Sequence, residues 1–130
     1  MGGTMEHPRF LSLSCVNFQT QWGDKHANLE KMKHFVREAS RVGSNLVVFP
    51  ELALSGYECD EDIHAHHRPC RMHRELAESV PGPSTLEMAK VARECGITVV
   101  FGMPEQDKET PSSTYISAVI ISPKGIPGPP

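Results

Sequence analysis

The sequence lacks the features that mark three large classes of protein. Its 130 residues carry 13 basic and 16 acidic side chains, a formal net charge of −3, and the basic residues form no stripe. We therefore expect no nucleic-acid partner, because phosphate binding needs clustered Lys and Arg. No apolar run approaches the roughly 20 residues of a membrane-spanning helix, and residues 1–9 lack the basic and apolar regions of a secretory signal. The sequence predicts a cytoplasmic protein that does not enter a membrane.

The four cysteines predict neither a disulfide framework nor a metal site. None forms a Cys-x-x-Cys pair, and disulfides are not expected without a secretion signal. Cys15 lies in a strand pattern and Cys95 in a helix pattern, so both are expected to be small buried residues. The other two belong to a His-rich segment, Cys59, His64, His66, His67, Cys70 and His73. Its spacing fits no common structural zinc site, so a solvated loop is favoured, and no metal or cofactor is predicted.

One carboxylate is placed where α/β proteins hold their chemistry. Residues 46–49, Leu-Val-Val-Phe, form a short apolar run that is typical of a strand buried on both faces. Pro50 cannot donate to a sheet ladder and ends the pairing, so Glu51 should lie at the carboxyl end of the strand. Glu51 is therefore a candidate general base. On these residues alone, the alternative of a strand-end carboxylate that bonds only to local backbone remains the favoured one.

The segment before this strand predicts a βαβ unit. Residues 10–18 alternate as a first strand, with Leu11, Leu13 and Cys15 on one face. Asp24 can cap the following helix, and Gly43 can end it. The apolar positions of this helix recur every three or four residues and are Leu29, Met32, Phe35, Val36, Ala39 and Val42. The two strands should then be parallel, joined by a right-handed crossover.

The segment after it predicts a second helix and a hairpin. Residues 84–87, Ser-Thr-Leu-Glu, match a capping box. The helix should bury one face and end at Gly96. A third strand is expected at 97–102, followed by a polar turn, and a fourth at 115–121 should pair with it as a hairpin. The buried face of the second helix is predicted to contain Leu86, Ala89, Ala92 and Cys95.

Five segments of the sequence occur in an order that matches a known family. They are Leu46 to Leu52, Ser55-Gly56-Tyr57, Pro81-Gly82-Pro83, Val99 to Glu105 and Tyr115 to Gly125. Together they resemble the nitrilase, or carbon–nitrogen hydrolase, superfamily. The resemblance implies an α/β fold that is a partial αββα sandwich, about half of the full domain. Residues 1–125 would be the amino-terminal part of a hydrolase domain, and 126–130 a Pro-rich tail that could be a non-native end.

The resemblance also implies a chemistry. Members hydrolyse nitriles, amides or N-carbamoyl groups by thiol acyl transfer with a Glu, a Lys and a Cys, without a cofactor, usually as dimers or larger assemblies. Glu51 takes the Glu position, the base that activates the thiol. Lys124 precedes the turn glycine and does not match the family lysine, and none of the four cysteines matches the nucleophile. Tyr57 and Glu105 are candidate substrate-binding residues, with a packed loop aromatic and a solvated carboxylate as equally open alternatives.

Two functions from different classes follow. The first is the amino-terminal portion of a carbon–nitrogen hydrolase that acts on small non-peptide substrates and forms homo-oligomers at full length. The 130 residues by themselves are then expected to be inactive. The second is a truncated, non-catalytic interaction or regulatory isoform that binds full-length subunits, because half a sandwich leaves an apolar sheet face open. A metal-binding module built on residues 59–73 is a third and weaker hypothesis.

Overall fold

The computed structural model describes residues 10–57 and 72–127. Residues 58–71, which include most of the His- and Cys-rich segment, lie outside the described residues, as does the side chain of His73. The prediction of a solvated loop there is therefore not addressed. The elements in chain order are β1 (Leu13–Cys15), α1 (Lys25–Arg41), β2 (Leu46–Val48), a π-helical turn (Met72–Leu76), α2 (Pro83–Cys95), β3 (Thr98–Gln106) and β4 (Thr114–Ile121).

The four strands form one sheet in the order β1-β2-β3-β4. β1, β2 and β3 are parallel and β4 is antiparallel to β3, which confirms the predicted βαβ unit and hairpin. Both helices pack on the same face of the sheet, where the core is made by side chains that include Met32, Val36, Val47, Met88, Val91, Val99 and Phe101. One helical layer on one sheet is half of an αββα sandwich, so the predicted partial sandwich is confirmed.

The first helix has the predicted start and end. Asp24 accepts a hydrogen bond from the backbone of Ala27 at 2.9 Å, and Gly43 follows the helix with φ at 91°. Val42 was predicted to lie on the buried face, but it is 66% exposed. It is the C-cap residue, directly after the last helical residue Arg41.

The second helix begins two residues earlier than the predicted capping box implies. Gly82 precedes the helix, and its N–H donates to the hydroxyl of Thr85 at 2.8 Å, so Ser84 does not cap the helix. The buried face also differs from the prediction. Leu86, predicted inside, is 53% exposed, while Met88 and Val91 are buried. The end at Gly96, with φ at 62°, is confirmed.

The third strand continues past the predicted end at Gly102, through Pro104, to Gln106. The N–H groups of Gly102 and Gln106 point away from β4 and donate to Pro50 and Glu78. Pro104 lies between them, so its nitrogen has the same orientation and the missing N–H removes no β3–β4 hydrogen bond.

Part of the second face of the sheet is left open by the described residues. The strand register puts Leu13, Ile116 and Ile120 on this face, where they are 51%, 61% and 54% exposed. Leu46 and Val48 are half-buried, so the prediction of a strand buried on both faces is wrong for this part of the chain. Exposed Cys15 and half-buried Cys95 likewise depart from the predicted burial. Neither described α-helix combines the length and the hydropathy that crossing a membrane requires.

A buried carboxylate joins the two helix starts to the sheet. Glu78, 8% exposed, accepts hydrogen bonds from Lys25 Nζ at 2.8 Å, from Ser84 Oγ at 2.7 Å and from Ser84 N at 2.8 Å. Its backbone bonds β3 through Pro104 O and Gln106 N. Because Lys25 begins α1 and Ser84 lies in the first turn of α2, Glu78 holds both helices in place.

Replacing Glu78 by glutamine is expected to lower the free energy of unfolding by about 2 kcal/mol at neutral pH, because a partly buried ammonium loses its charged partner. Burial pushes the pKa of Glu78 up, but the Lys25 ammonium and the Ser84 donors outweigh it and hold the pKa below its usual 4.5. The carboxylate therefore stabilises the fold above that pH, and the contribution is lost as the pH falls through the folded-state pKa. Urea denaturation at neutral and acid pH measures both effects. The free energy of unfolding of the Glu78→Gln variant should depend less on pH than that of the parent.

Glu87→Gln is the matched control. Glu87 pairs with Lys90 at 2.8 Å and Lys33 at 3.4 Å, but it is 45% exposed, and exposed pairs contribute about 0–1 kcal/mol. Equal losses in the two variants would contradict the role assigned to Glu78.

Candidate active site

The candidate base lies on a tight turn that follows β2. Glu51 is exposed, whereas Leu52, Ala53, Leu54 and Ser55 directly after it are buried. As predicted, Glu51 lies just beyond the carboxyl end of the strand. The turn sends the carboxylate outward while the apolar side chains after it enter the core.

The backbone of this turn is strained at one residue. Leu52 has φ at 51°, a left-handed conformation that costs a non-glycine residue about 1–2 kcal/mol. Its side chain is only 3% exposed, and its carbonyl accepts a hydrogen bond from Gly56 N at 2.8 Å. The surrounding contacts therefore hold the residue after Glu51 in a single conformation.

Gly102 of β3 lies directly against the turn. Its N–H donates to Pro50 O at 3.3 Å and its carbonyl accepts from Leu54 N at 3.2 Å. A Cβ at this position would lie 2.5 Å from Leu52 N and 2.7 Å from Glu51 Cα. Only glycine permits this approach, so the backbone of Glu51 is set directly by β3.

Tyr57 contacts the candidate base. Its hydroxyl donates to Glu51 Oε2 at 3.3 Å, and the side chain is 53% exposed. Partial dehydration and the neighbouring Glu51 carboxylate raise the pKa of Tyr57 above its usual 10.0. The predicted proximity of Tyr57 to Glu51 is thus present, and its contact with a substrate stays a prediction.

Glu105, the other predicted substrate-binding residue, is not brought to Glu51. It lies within β3 and accepts a hydrogen bond from Ser117 Oγ at 2.6 Å. Ser117 pairs with Met103, which is fully buried beneath the helices, so Glu105 projects to the helix-covered face. Gly102 meets the Glu51 backbone on the opposite face. The substrate-binding role of Glu105 stays a prediction, without a contact to support it.

Sequence reasoning missed two residues that hold the turn. One is Gly102, and the other is Asn28, a fully buried amide in α1 that donates to Leu54 O at 2.9 Å. A polar residue directly before Leu29 in an apolar stripe was the available signal for Asn28. Nothing in a sequence pattern signals the Gly102 contact.

The arrangement supplies a carboxylate that can accept a proton, with a phenol donor beside it and a backbone that packs closely against β3. Such a group suits general-base chemistry at an accessible edge of a sheet. Within residues 10–57 and 72–127, no three His, Cys, Asp or Glu side chains come together to hold a metal ion.

Comparison with known proteins gives a consistent family. The carbon–nitrogen hydrolase family model matches residues 12–128. A probable nitrilase of Schizosaccharomyces pombe is 30% identical over 117 residues, covering 88% of this chain and 39% of the relative. The aliphatic nitrilase of Sinorhizobium fredii is 33% identical over 113 residues, covering 81% and 36%.

Solved structures agree on the fold. An amidase from Nesterenkonia sp. superposes with a TM-score of 0.68 at 20% identity, covering 97% of this chain and 44% of the amidase. The chain thus spans 36–44% of the length of these three proteins.

Proposed function

The chain belongs to the carbon–nitrogen hydrolase family, and on that premise we propose that it contributes the general base, Glu51, to the hydrolysis of non-peptide C–N bonds. The proposed substrates are small amides, nitriles or N-carbamoyl compounds. The observation that carries the proposal is the Glu51 carboxylate itself. It lies exposed at the carboxyl end of β2 on a turn locked against Gly102, with the Tyr57 hydroxyl 3.3 Å away.

In the proposed reaction, Glu51 removes the proton of a thiol, and the thiolate attacks the carbonyl or nitrile carbon. A lysine ammonium stabilises the charge that develops on the substrate. For an amide, the protonated Glu51 returns that proton to the nitrogen, which leaves as ammonia. Glu51 then removes a proton from water, the hydroxide releases the acid from the thioester, and the thiolate recovers the proton from Glu51. Because Lys124 and the four cysteines do not match the family positions, the thiol and the ammonium must come from outside these 130 residues.

We further propose that Tyr57 contacts the substrate beside Glu51, that the full-length form is a homo-oligomer and that the protein works in the cytoplasm. No step assigned here depends on Glu105, on a metal or on a cofactor. The predicted boundary, with 126–130 as a tail after the hydrolase portion at 1–125, also stands as a proposal. The family match extends to residue 128 and so reaches into that tail.

A test needs the missing groups to be supplied. In a chimera, residues 12–126 of this chain replace the matching segment of the Sinorhizobium fredii aliphatic nitrilase. Ammonia release from nitriles, amides and N-carbamoyl compounds is measured for this chimera and for the 130-residue chain. We expect turnover by the chimera only. A chimera that is folded by circular dichroism yet inactive on all three classes would contradict the proposal. Turnover by the 130-residue chain, abolished by Glu51→Gln, would contradict its inactivity.

The open sheet face favours a second function, a non-catalytic chain that binds full-length subunits. Leu13, Ile116 and Ile120 are all more than half exposed on that face, and exposed apolar sheet surface attracts partners. Co-purification of the tagged chain with a full-length family member would support this function. A chain that sediments as a monomer and captures no such subunit would exclude it.

A further inference from the structure

One side chain of α1 spans the gap to the Glu51 turn. Asn28 is fully buried, and its Oδ1 accepts from Gln21 N at 2.7 Å. Its Nδ2 donates to Gln21 O at 2.8 Å and to Leu54 O at 2.9 Å. Both amide hydrogens and the amide oxygen are therefore used, and a buried polar group in this state resists replacement.

The loop before α1 is held against the same turn by its backbone. Gly23 N donates to Ser55 O at 2.9 Å. A Cβ on Gly56 would lie 3.1 Å from Trp22 Cα, so the two segments touch without spare room. Asn28 is the side chain that bonds both of them.

We propose that Asn28 is a positioning residue for Glu51, acting through the Leu54 carbonyl. The inference rests on the proposed role of Glu51 as the base. The turn is bonded on one side by Gly102 of β3 and on the other by Asn28 of α1. Truncating Asn28 removes its bond to Leu54 O but leaves the Gly23–Ser55 and Gly102 bonds in place. We therefore expect the turn to stay attached and the exposed Glu51 carboxylate on it to shift.

The chemistry of the site is specific for asparagine. The surrounding backbone requires one acceptor for Gln21 N and two donors for the carbonyl groups of Gln21 and Leu54. An ionised aspartate has no donor, and leucine has neither a donor nor an acceptor. Either change leaves the Leu54 carbonyl without this partner in a buried position.

The contact between Tyr57 and Glu51 reports the position of the carboxylate without any need for catalysis. The chain has two tyrosines, so Tyr115→Phe leaves Tyr57 as the single phenol in an ultraviolet titration. In that background Glu51→Gln should lower the Tyr57 pKa towards 10.0, because the carboxylate raises it. Asn28→Ala should lower it in the same direction.

Val36→Ala is the matched control. Val36 is a fully buried core residue of the same helix, so its truncation destabilises the fold without touching the turn. In the Tyr115→Phe background, Val36→Ala should leave the pKa of Tyr57 unchanged. Asn28→Ser, which keeps one hydroxyl donor, serves if the alanine variant does not fold, and it should give an intermediate shift.

Two results would overturn the inference. One is an unshifted Tyr57 titration in the folded Asn28 variants while Glu51→Gln does shift it. The other is a shift in Val36→Ala as large as that in the Asn28 variants. Failure of the proposed function would be seen elsewhere, as an active chimera that is indifferent to Glu51→Gln, while the titration still responded to Asn28.

Discussion

Glu51→Gln is expected to lower kcat/KM of the chimera by about 100- to 10,000-fold, the contribution that a positioned proton-transfer group makes. Glutamine preserves the shape of the side chain and its exposure after β2, but the neutral amide cannot take the proton of a thiol. Initial rates of ammonia release measure the effect, with thermal melting as the check on folding. The fold should be unaffected, because Glu51 is exposed and its backbone is held by Gly102.

Two further carboxylates make this experiment selective. Glu94 is exposed on α2, and Glu94→Gln should leave the rate unchanged. Glu105→Gln replaces the charged acceptor of the 2.6 Å bond from Ser117 on the helix-covered face by a neutral amide oxygen and tests the predicted substrate role of Glu105 directly. If Glu51→Gln and Glu94→Gln had the same rate, Glu51 would not be the base.

Gly102→Ala is expected to lower the free energy of unfolding by about 3 kcal/mol, from forced overpacking and weakened hydrogen bonds at the turn. The added Cβ would lie 2.5 Å from Leu52 N and 2.7 Å from Glu51 Cα. Both are backbone atoms, so no rotamer change relieves the contact. Urea denaturation of the 130-residue chain measures the loss, and the Tyr57 titration reports whether Glu51 has moved.

Gly96→Ala separates close approach from backbone conformation. Gly96 has φ at 62° with no atom within 4 Å of an added Cβ, so alanine there meets only conformational strain, about 1 kcal/mol. Gly102 is the reverse case, since its φ lies outside the range that disfavours alanine. If Gly102→Ala lowered the free energy of unfolding no more than Gly96→Ala does, the turn would be able to move away from the added Cβ. In that case β3 would not fix the position of Glu51.

The order of the elements, the parallel β1–β2 pair and the β3–β4 hairpin were predictable from the sequence because they depend on local patterns, whereas the β2–β3 pairing was not predicted. The period of α1, its cap at Asp24 and the stop at Gly96 are local signals, and the structure has all of them. The end of β3 was not predictable by the same reasoning. Pro104 interrupts the β3–β4 ladder only if its nitrogen faces β4, and the direction it faces is set by the register between β3 and β4.

The candidate site divides in the same way. Glu51 was located at the strand end by the proline before it, and Tyr57 was placed near Glu51. The residues that hold the turn were missed because their importance comes from contacts between distant segments. Asn28 meets Leu54 and Gly102 meets Leu52 only after the sheet and α1 have assembled. The position of a polar residue beside the apolar stripe of α1 was a signal for Asn28, whereas a strand glycine has no periodic signature.

The bonds that hold the Glu51 turn have a consequence for how this protein can evolve. Gly23, Asn28 and Gly102 all lie outside residues 58–71, the stretch that follows the turn. Insertions, deletions and drift within that stretch remove none of these bonds. Descendants of the gene can therefore change the length and composition of residues 58–71 while inheriting a Glu51 carboxylate held by the same bonds.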